Sequence, residues 1–176
     1  MREFPDEEKC LQILKKHEVP QNIVDHSLKV KEVAINIAES LSKAGEDIDQ
    51  NLVLSSALLH DIAKYKCLDK DKHHVGEGAR ILKEEGFEKI AKIVSKHGLT
   101  AVFEKKFQSW EEKVIYYADK RVKEDKVVSL EERIEDLKER YLNFREEIKK
   151  AEPLIKNLEE DFIGSSGAED SKDLVS

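Results

Sequence analysis

Apolar residues recur along most of the chain at steps of three and four, the spacing that lines one face of an α-helix. Leu11, Ile13 and Leu14 predict a short first helix over about residues 6–17. Pro20 suits the first turn of a long second helix, which Gly45 stops, with Ile23, Val30, Val33, Ile37 and Leu41 as its stripe. A third helix starts near Asn51 and runs through LVLSSALLHDIAKY, apolar all round, as expected of a helix buried on most sides. Gly76, Gly78 and Gly86 bracket a short helix over about 79–85, and 87–96 forms another that ends at His97-Gly98. Capping boxes at Ser109–Glu112 and Ser129–Glu132 open two more, the first through Asp119. The second carries Leu130, Ile134, Leu137, Tyr141, Phe144 and Ile148 as a heptad seam, with a break or kink expected at Pro153 and the stripe resumed by Leu154, Leu158 and Phe162. The pattern predicts an all-α, single-domain helical bundle. It comprises an N-terminal helix (1–19), a core (20–125), a C-terminal helical extension (126–163) and a small, polar tail (164–176) expected to be disordered.

Composition agrees with helices: of 176 residues only 7 are Gly and 3 Pro, too few for the turns of a sandwich or barrel. Lys and Arg total 31 against 38 Asp and Glu, a net charge of -7, which excludes a nucleic-acid grip built on phosphate neutralisation. Cys10 and Cys67 are too few for a disulfide framework or a cysteine-based zinc site. No apolar stretch approaches the length of a membrane span or a secretory signal, so a cytoplasmic protein without membrane contact is expected.

Chemistry enters through polar residues on apolar faces. His26 fills the gap between Ile23 and Val30, and Val53 and Ala57 lead to His60 with Asp61 beside it. Stepping back from Ile81 and Leu82 through Gly78 reaches His74. Ile90 and Val94 lead to His97, and Ile115 and Val122 flank Asp119. One such histidine is commonly a satisfied core polar group. A buried aspartate needs a partner or a metal, because an unpaired carboxylate away from water is costly. Converging on a divalent ion satisfies all six groups at once, and imidazole with carboxylate is a ligand set for such ions. His17 and His73 are expected at the surface, and Trp110 as core or staple rather than a stacking platform.

The order H…HD…D, met here as His26 in VDHSLKV, His60-Asp61 in LLHDIAK and Asp119 in YYADKRV, resembles the HD superfamily of metal-dependent phosphohydrolases over residues 20–125. In a dinuclear branch two further histidines lie between HD and the last Asp. His74 in HHVGEGARIL and His97 in VSKHG look like these, with His73 the rival for the first place and a substrate contact the rival role for His97. VVSLEERIEDLKERY is similar to an extension in uncharacterised bacterial and archaeal members.

The resemblance implies one or two divalent ions (Mn, Fe, Co, Ni, Zn or Mg) held by His26, His60, Asp61, His74, His97 and Asp119. Asp61 would bridge them, and a metal-activated water would attack the phosphorus. It casts Asp61 and Lys64 as catalytic, and Lys64, Lys120 and Arg121 as substrate-binding. Lys64 stands where an HDxxE form in some nucleotidases carries an acid. The expected reaction is cleavage of a phosphoester or phosphoanhydride of a small phosphorylated metabolite, foremost a nucleotide. Two other readings stay open: a non-enzymatic, metal-bound helical module, and a di-iron oxygenase on the same scaffold. The heptad seam either packs over its own bundle or pairs two copies as a homodimer.

Overall fold

Four helix starts among the described residues fall where the sequence supplies a side-chain acceptor for the otherwise unpaired N–H groups of the first turn. In the computed structural model, which describes residues 3–67, 73–104 and 107–176, Asp6 accepts from Lys9 N at 3.0 Å and opens α1 (Glu7–Lys16). Asp49 accepts from Asn51 N and Leu52 N and opens α3 (Gln50–Leu59). Ser109 and Ser129 cap α6 (Trp110–Asp119) and α7 (Leu130–Arg140), as their sequence boxes predict. Pro20 precedes α2 (Gln21–Lys43), whose C-terminus passes into Gly45 at φ 96°, a conformation that favours glycine. The remaining helices are α4 (His74–Glu84), α5 (Glu88–Val94) and α8 (Arg145–Ser166). Among the described residues no helix is long and apolar enough to cross a membrane.

The long α2 is the axis of the molecule, touching α3, α6 and α8. Its Val30, Val33, Ala34, Ile37 and Leu41 join Val114, Ile115, Tyr116, Ile134, Ile155 and Phe162 in one apolar cluster. A second cluster gathers Cys10, Ile13 and Leu14 of α1 with Leu82 of α4 and Ile90 and Val94 of α5. Helix α3 belongs to both, Val53 and Ala57 facing the first, Leu58 and Leu59 the second. That double role explains why its sequence is apolar all round.

The all-α expectation holds, with departures in detail. The third helix stops at Leu59 instead of running on to Tyr65. His60 Nδ1 takes the Ala57 carbonyl at 2.7 Å, and the backbone tightens to three-residue bonds such as Lys64 N to Asp61 O at 3.0 Å. A hairpin of β1 (Val122–Lys123) and β2 (Lys126–Val127), which the sequence pattern did not predict, joins α6 to α7. The seam does not lie on one helix. The chain breaks at Tyr141 (φ -119°, ψ 65°), Leu130, Ile134 and Ile148 enter this chain's own core, and Tyr141 and Phe144 remain outside. Helix α8 then runs through Pro153 without ending, anchored on either side of it by buried Ala151 and Ile155. Finally, the tail expected to be disordered is docked: Leu174 is fully buried and the Val175 carbonyl accepts from Asn36 Nδ2 at 3.3 Å. Leu174 and Val175 stand together near the end of a polar run and make no periodic pattern. His17 also differs from expectation, being half-buried with Nε2 2.7 Å from Glu85 Oε1. Trp110 is partly buried against Phe162, its Nε1 donating to Glu46 Oε2 at 2.9 Å.

Burial pushes the Cys10 thiol up to about 12, and the nearby Asp6 and Glu7 add to the shift. The neutral thiol is thus the form the fold favours. Its contribution is fully present below the unfolded value of about 9 and is lost as pH rises through about 12. We expect iodoacetamide at pH 8.5 to label the half-exposed Cys67 in the native protein while sparing Cys10 until denaturant is added. Equal native labelling of both, read by mass spectrometry, would refute this account of the N-terminal cluster.

Candidate metal centre

Where the two apolar clusters meet, at the frayed end of α3, side chains from five helices and their flanking turns converge. Only His26 sits within a helix body. His60 and Asp61 follow the last turn of α3, His74 is the first residue of α4, His97 lies just beyond α5, and Asp119 ends α6. The C-termini of α3 and α6 therefore direct their partial negative charge towards the same place, a field that favours a cation.

Two groups share one residue. His26, His60, Asp61 and Asp119 offer ligand atoms that all lie within 4.8 Å of one another, and Asp61, His74 and His97 do the same. In the first, His26 Nε2 stands 3.1 Å from Asp119 Oδ1 and 3.7 Å from Asp61 Oδ2, with His60 Nε2 3.5 Å from both of those oxygens. In the second, His74 Nε2 and His97 Nε2 each lie 3.5 Å from Asp61 Oδ1. Asp61 thus presents a different carboxylate oxygen to each group.

The imidazoles are oriented from behind. His26 Nδ1 meets the Glu124 carbonyl at 2.7 Å, His60 Nδ1 that of Ala57 at 2.7 Å, and His97 Nδ1 that of Val94 at 2.6 Å. A carbonyl can only accept, so each Nδ1 carries a hydrogen and each ring turns Nε2 inward, where its lone pair becomes available to a cation once that nitrogen bears no proton. His60 Nε2 and His97 Nε2 are buried without a hydrogen-bond partner among the described residues. Orphaned buried nitrogens beside two carboxylates fit a divalent ion, whose binding would satisfy them.

Electrostatics agree. Burial opposes charge on Asp61, but His60 and Lys64 outweigh it and hold the carboxyl well below the usual range. Asp119 is likewise held low against burial, by Lys120 and by the hydrogen bond with His26. For His60, burial works against the proton while Asp61 and Asp119 win and raise it, marking the spot where both carboxylates attract positive charge. Burial takes His74 down to about 4 despite the pull of Asp61, which leaves a neutral ring near pH 7.

Of the three basic residues expected to bind substrate, Lys64 and Lys120 line the cavity beside the cluster and Arg121 does not. Lys64 Nζ lies 2.8 Å from Asp61 Oδ2. Lys120 Nζ bridges Asp119 Oδ2 at 2.8 Å and the His97 carbonyl at 3.1 Å, tying two of the converging residues together. Arg121 lies elsewhere. Its buried guanidinium donates to the Val128 carbonyl at 2.8 Å, the Tyr117 hydroxyl at 2.7 Å and the Ser171 carbonyl at 3.0 Å, with Glu159 alongside at 3.5 Å. It clamps the hairpin, α6, α8 and the tail. Lys120, one residue earlier, lines the cavity that Arg121 does not reach. Of the two rivals, His73 is exposed and outside both groups, whereas His74 belongs to the second. Sequence reasoning missed Glu124, whose main-chain carbonyl orients His26; its φ of 55° in the hairpin turn carries no sequence signature.

A family model described as HD domain matches residues 23–137, which include all six converging residues and the hairpin. The chain belongs to the HD domain family, and so to a superfamily of metal-dependent hydrolases. Among curated proteins it is similar to a tRNA (cytidine(56)-2'-O)-methyltransferase of Picrophilus torridus, 31% identical over 93% of this chain and 48% of that protein. A protein of the same description from Thermoplasma volcanium is 39% identical over 53% of this chain and 26% of its own length. The chain thus spans about half, or less, of these relatives. An uncharacterized protein of Methanocaldococcus jannaschii is 31% identical over 86% of this chain and 91% of its own. No solved structure matches significantly.

Proposed function

We propose that the chain is a metal-dependent phosphohydrolase that cleaves a small nucleotide-type phosphoester. One observation carries the reading: Asp61 turns one carboxylate oxygen to His26 and His60 and the other to His74 and His97. His26, His60, Asp61 and Asp119 would hold one divalent ion, and Asp61, His74 and His97 a second. When bound, such ions lower the pKa of a coordinated water and polarise a phosphoryl oxygen.

The protein's own residues supply the rest. Backbone carbonyls of Glu124, Ala57 and Val94 fix three rings in the ligand tautomer. Lys120 holds Asp119 in place. Lys64, a third exposed at the cavity wall, offers an ammonium to the substrate phosphate. Methyl transfer to tRNA, in the names of two relatives, is not the reading for this chain. Imidazole and carboxylate form a metal-ligand set, and a net charge of -7 repels a long polyanion. That nucleic-acid setting does favour a nucleotide-type substrate over other phosphoesters.

The chelator-stripped protein, reloaded singly with Mn, Fe, Co, Ni or Zn, is expected to regain phosphate release from a nucleotide panel. Metal content should approach two ions per chain. Unchanged turnover after complete stripping, or no turnover with any ion, would overturn the proposal.

A further inference from the structure

The cavity beside the metal centre, about 560 Å³, extends well beyond the cluster. One end is walled by Asp61, Lys64, His97 and Lys120. The other is walled by the C-terminal helices, with Leu137, Tyr141, Phe144 and Ile148. Its volume lies in the range of about 300–1,000 Å³ usual for small-molecule sites, room for a mononucleotide. Tyr141 and Phe144 sit at the break between α7 and α8, 48% and 55% exposed, although both are large aromatics on a chain with only 6% aromatic residues. Arg133 lines the same cavity. It gives Nη1 to Asp136 Oδ2 at 2.6 Å, yet keeps a buried Nε without an acceptor among the described residues. Tyr141 also lies close enough to Lys64 to contribute to its field, so the aromatic wall and the ammonium face one space.

We infer that Tyr141 and Phe144 form the subsite for a flat aromatic base, so that the substrate is a nucleoside phosphate whose phosphate meets the Lys64 end while its base packs on these rings. The inference rests on the phosphohydrolase reading for the phosphate end alone. The two sets of lining residues differ in kind, one charged and polar, the other aromatic and apolar. A break in the helix is what leaves the rings uncovered. Had α7 continued to Ile148, the seam would have turned both residues onto the bundle, as it does Leu130 and Ile134. Stacking of a base on an aromatic ring is tolerant of base identity, so these residues select for the presence of a base rather than for one base.

The test uses the full chain and two readouts. Ligand-observed NMR measures binding of adenosine, guanosine, cytidine and uridine, with ribose as the reference, to the parent protein and to a Tyr141→Ala/Phe144→Ala variant. Metal-loaded proteins are assayed in parallel on the four nucleoside 5′-monophosphates and on ribose 5-phosphate. At least one nucleoside is expected to bind more tightly than ribose and to lose at least about fivefold in the double variant. KM for its monophosphate should rise by a similar factor, ribose 5-phosphate turnover should be unchanged, and Tyr141→Phe should keep most of the binding. Nucleosides that bind no better than ribose, or that are unaffected by the double substitution, overturn the inference even if phosphoesters are cleaved. Ring-dependent nucleoside binding without cleavage of any phosphoester upholds the subsite and removes the hydrolase reading.

Discussion

Asp61→Asn is expected to strip the protein of its metal-dependent activity while leaving it folded. Asparagine preserves the side-chain shape but replaces one carboxylate oxygen with an NH₂ group, which cannot ligate, and removes the charge. Since Asp61 faces both ligand groups, one substitution impairs both. Partners that merely orient a ligand are worth about 10–100-fold in metal affinity or activity. Loss of a shared ligand should therefore cost at least about a hundredfold in kcat/KM. Metal content by elemental analysis should fall with it, and the helical circular dichroism spectrum should stay unchanged. Full activity in Asp61→Asn would be incompatible with the shared carboxylate as the organiser of the site. Lys64→Met gives the contrast. Without a ligand lost, metal content should be retained, and the effect should appear in KM and kcat of phosphorylated substrates.

Arg121→Ala is expected to be the most destabilising single change outside the apolar clusters. Its guanidinium is buried and bonded to two backbone carbonyls and the Tyr117 hydroxyl, with the Glu159 carboxylate in reach. Truncation takes this donor from the Val128 and Ser171 carbonyls and removes the cation from beside Glu159, whose carboxylate then keeps the Tyr117 hydroxyl. Breaking a buried ion pair by removing one partner costs about 3–5 kcal/mol. For a chain of this length each kcal/mol moves Tm by about 2–4 °C, so a loss of roughly 10 °C is expected in thermal unfolding. Tyr117→Phe removes a single hydroxyl from the same network and should cost about 1 kcal/mol. An Arg121→Ala protein as stable as the parent, but with a raised KM, would return Arg121 to the substrate role that its place beside Asp119 suggests.

Those two residues also mark what sequence can and cannot tell. Asp61 was legible because helical spacing put a carboxylate inside an apolar run, where its cost demanded an explanation. His26, His74, His97 and Asp119 followed from the same contrast. Arg121 was not legible, since in ADKRVKEDKV charges follow one another and nothing separates the buried from the solvated. The hairpin hid in that stretch too, being only two residues per strand and without alternation. The end of α3 was overrun because Ile62 and Ala63 continue the apolar pattern after the helix has ended; burial, not helicity, is what the pattern reported there. The break at Tyr141 was missed for the opposite reason, as the heptad spacing passes across it undisturbed.

The carbonyl of Glu124 lies 98 residues from His26 in the chain and beyond every one of the six converging side chains. A polypeptide shortened to end at Lys120 would contain the complete signature in its proper order. It would nevertheless leave His26 free to turn its hydrogen-bearing nitrogen either way, and would also lose the clamp that Arg121 forms with Val128. Possession of the motif and possession of an oriented ligand cluster are therefore separable properties. The shortest version expected to keep that cluster in order reaches past the hairpin.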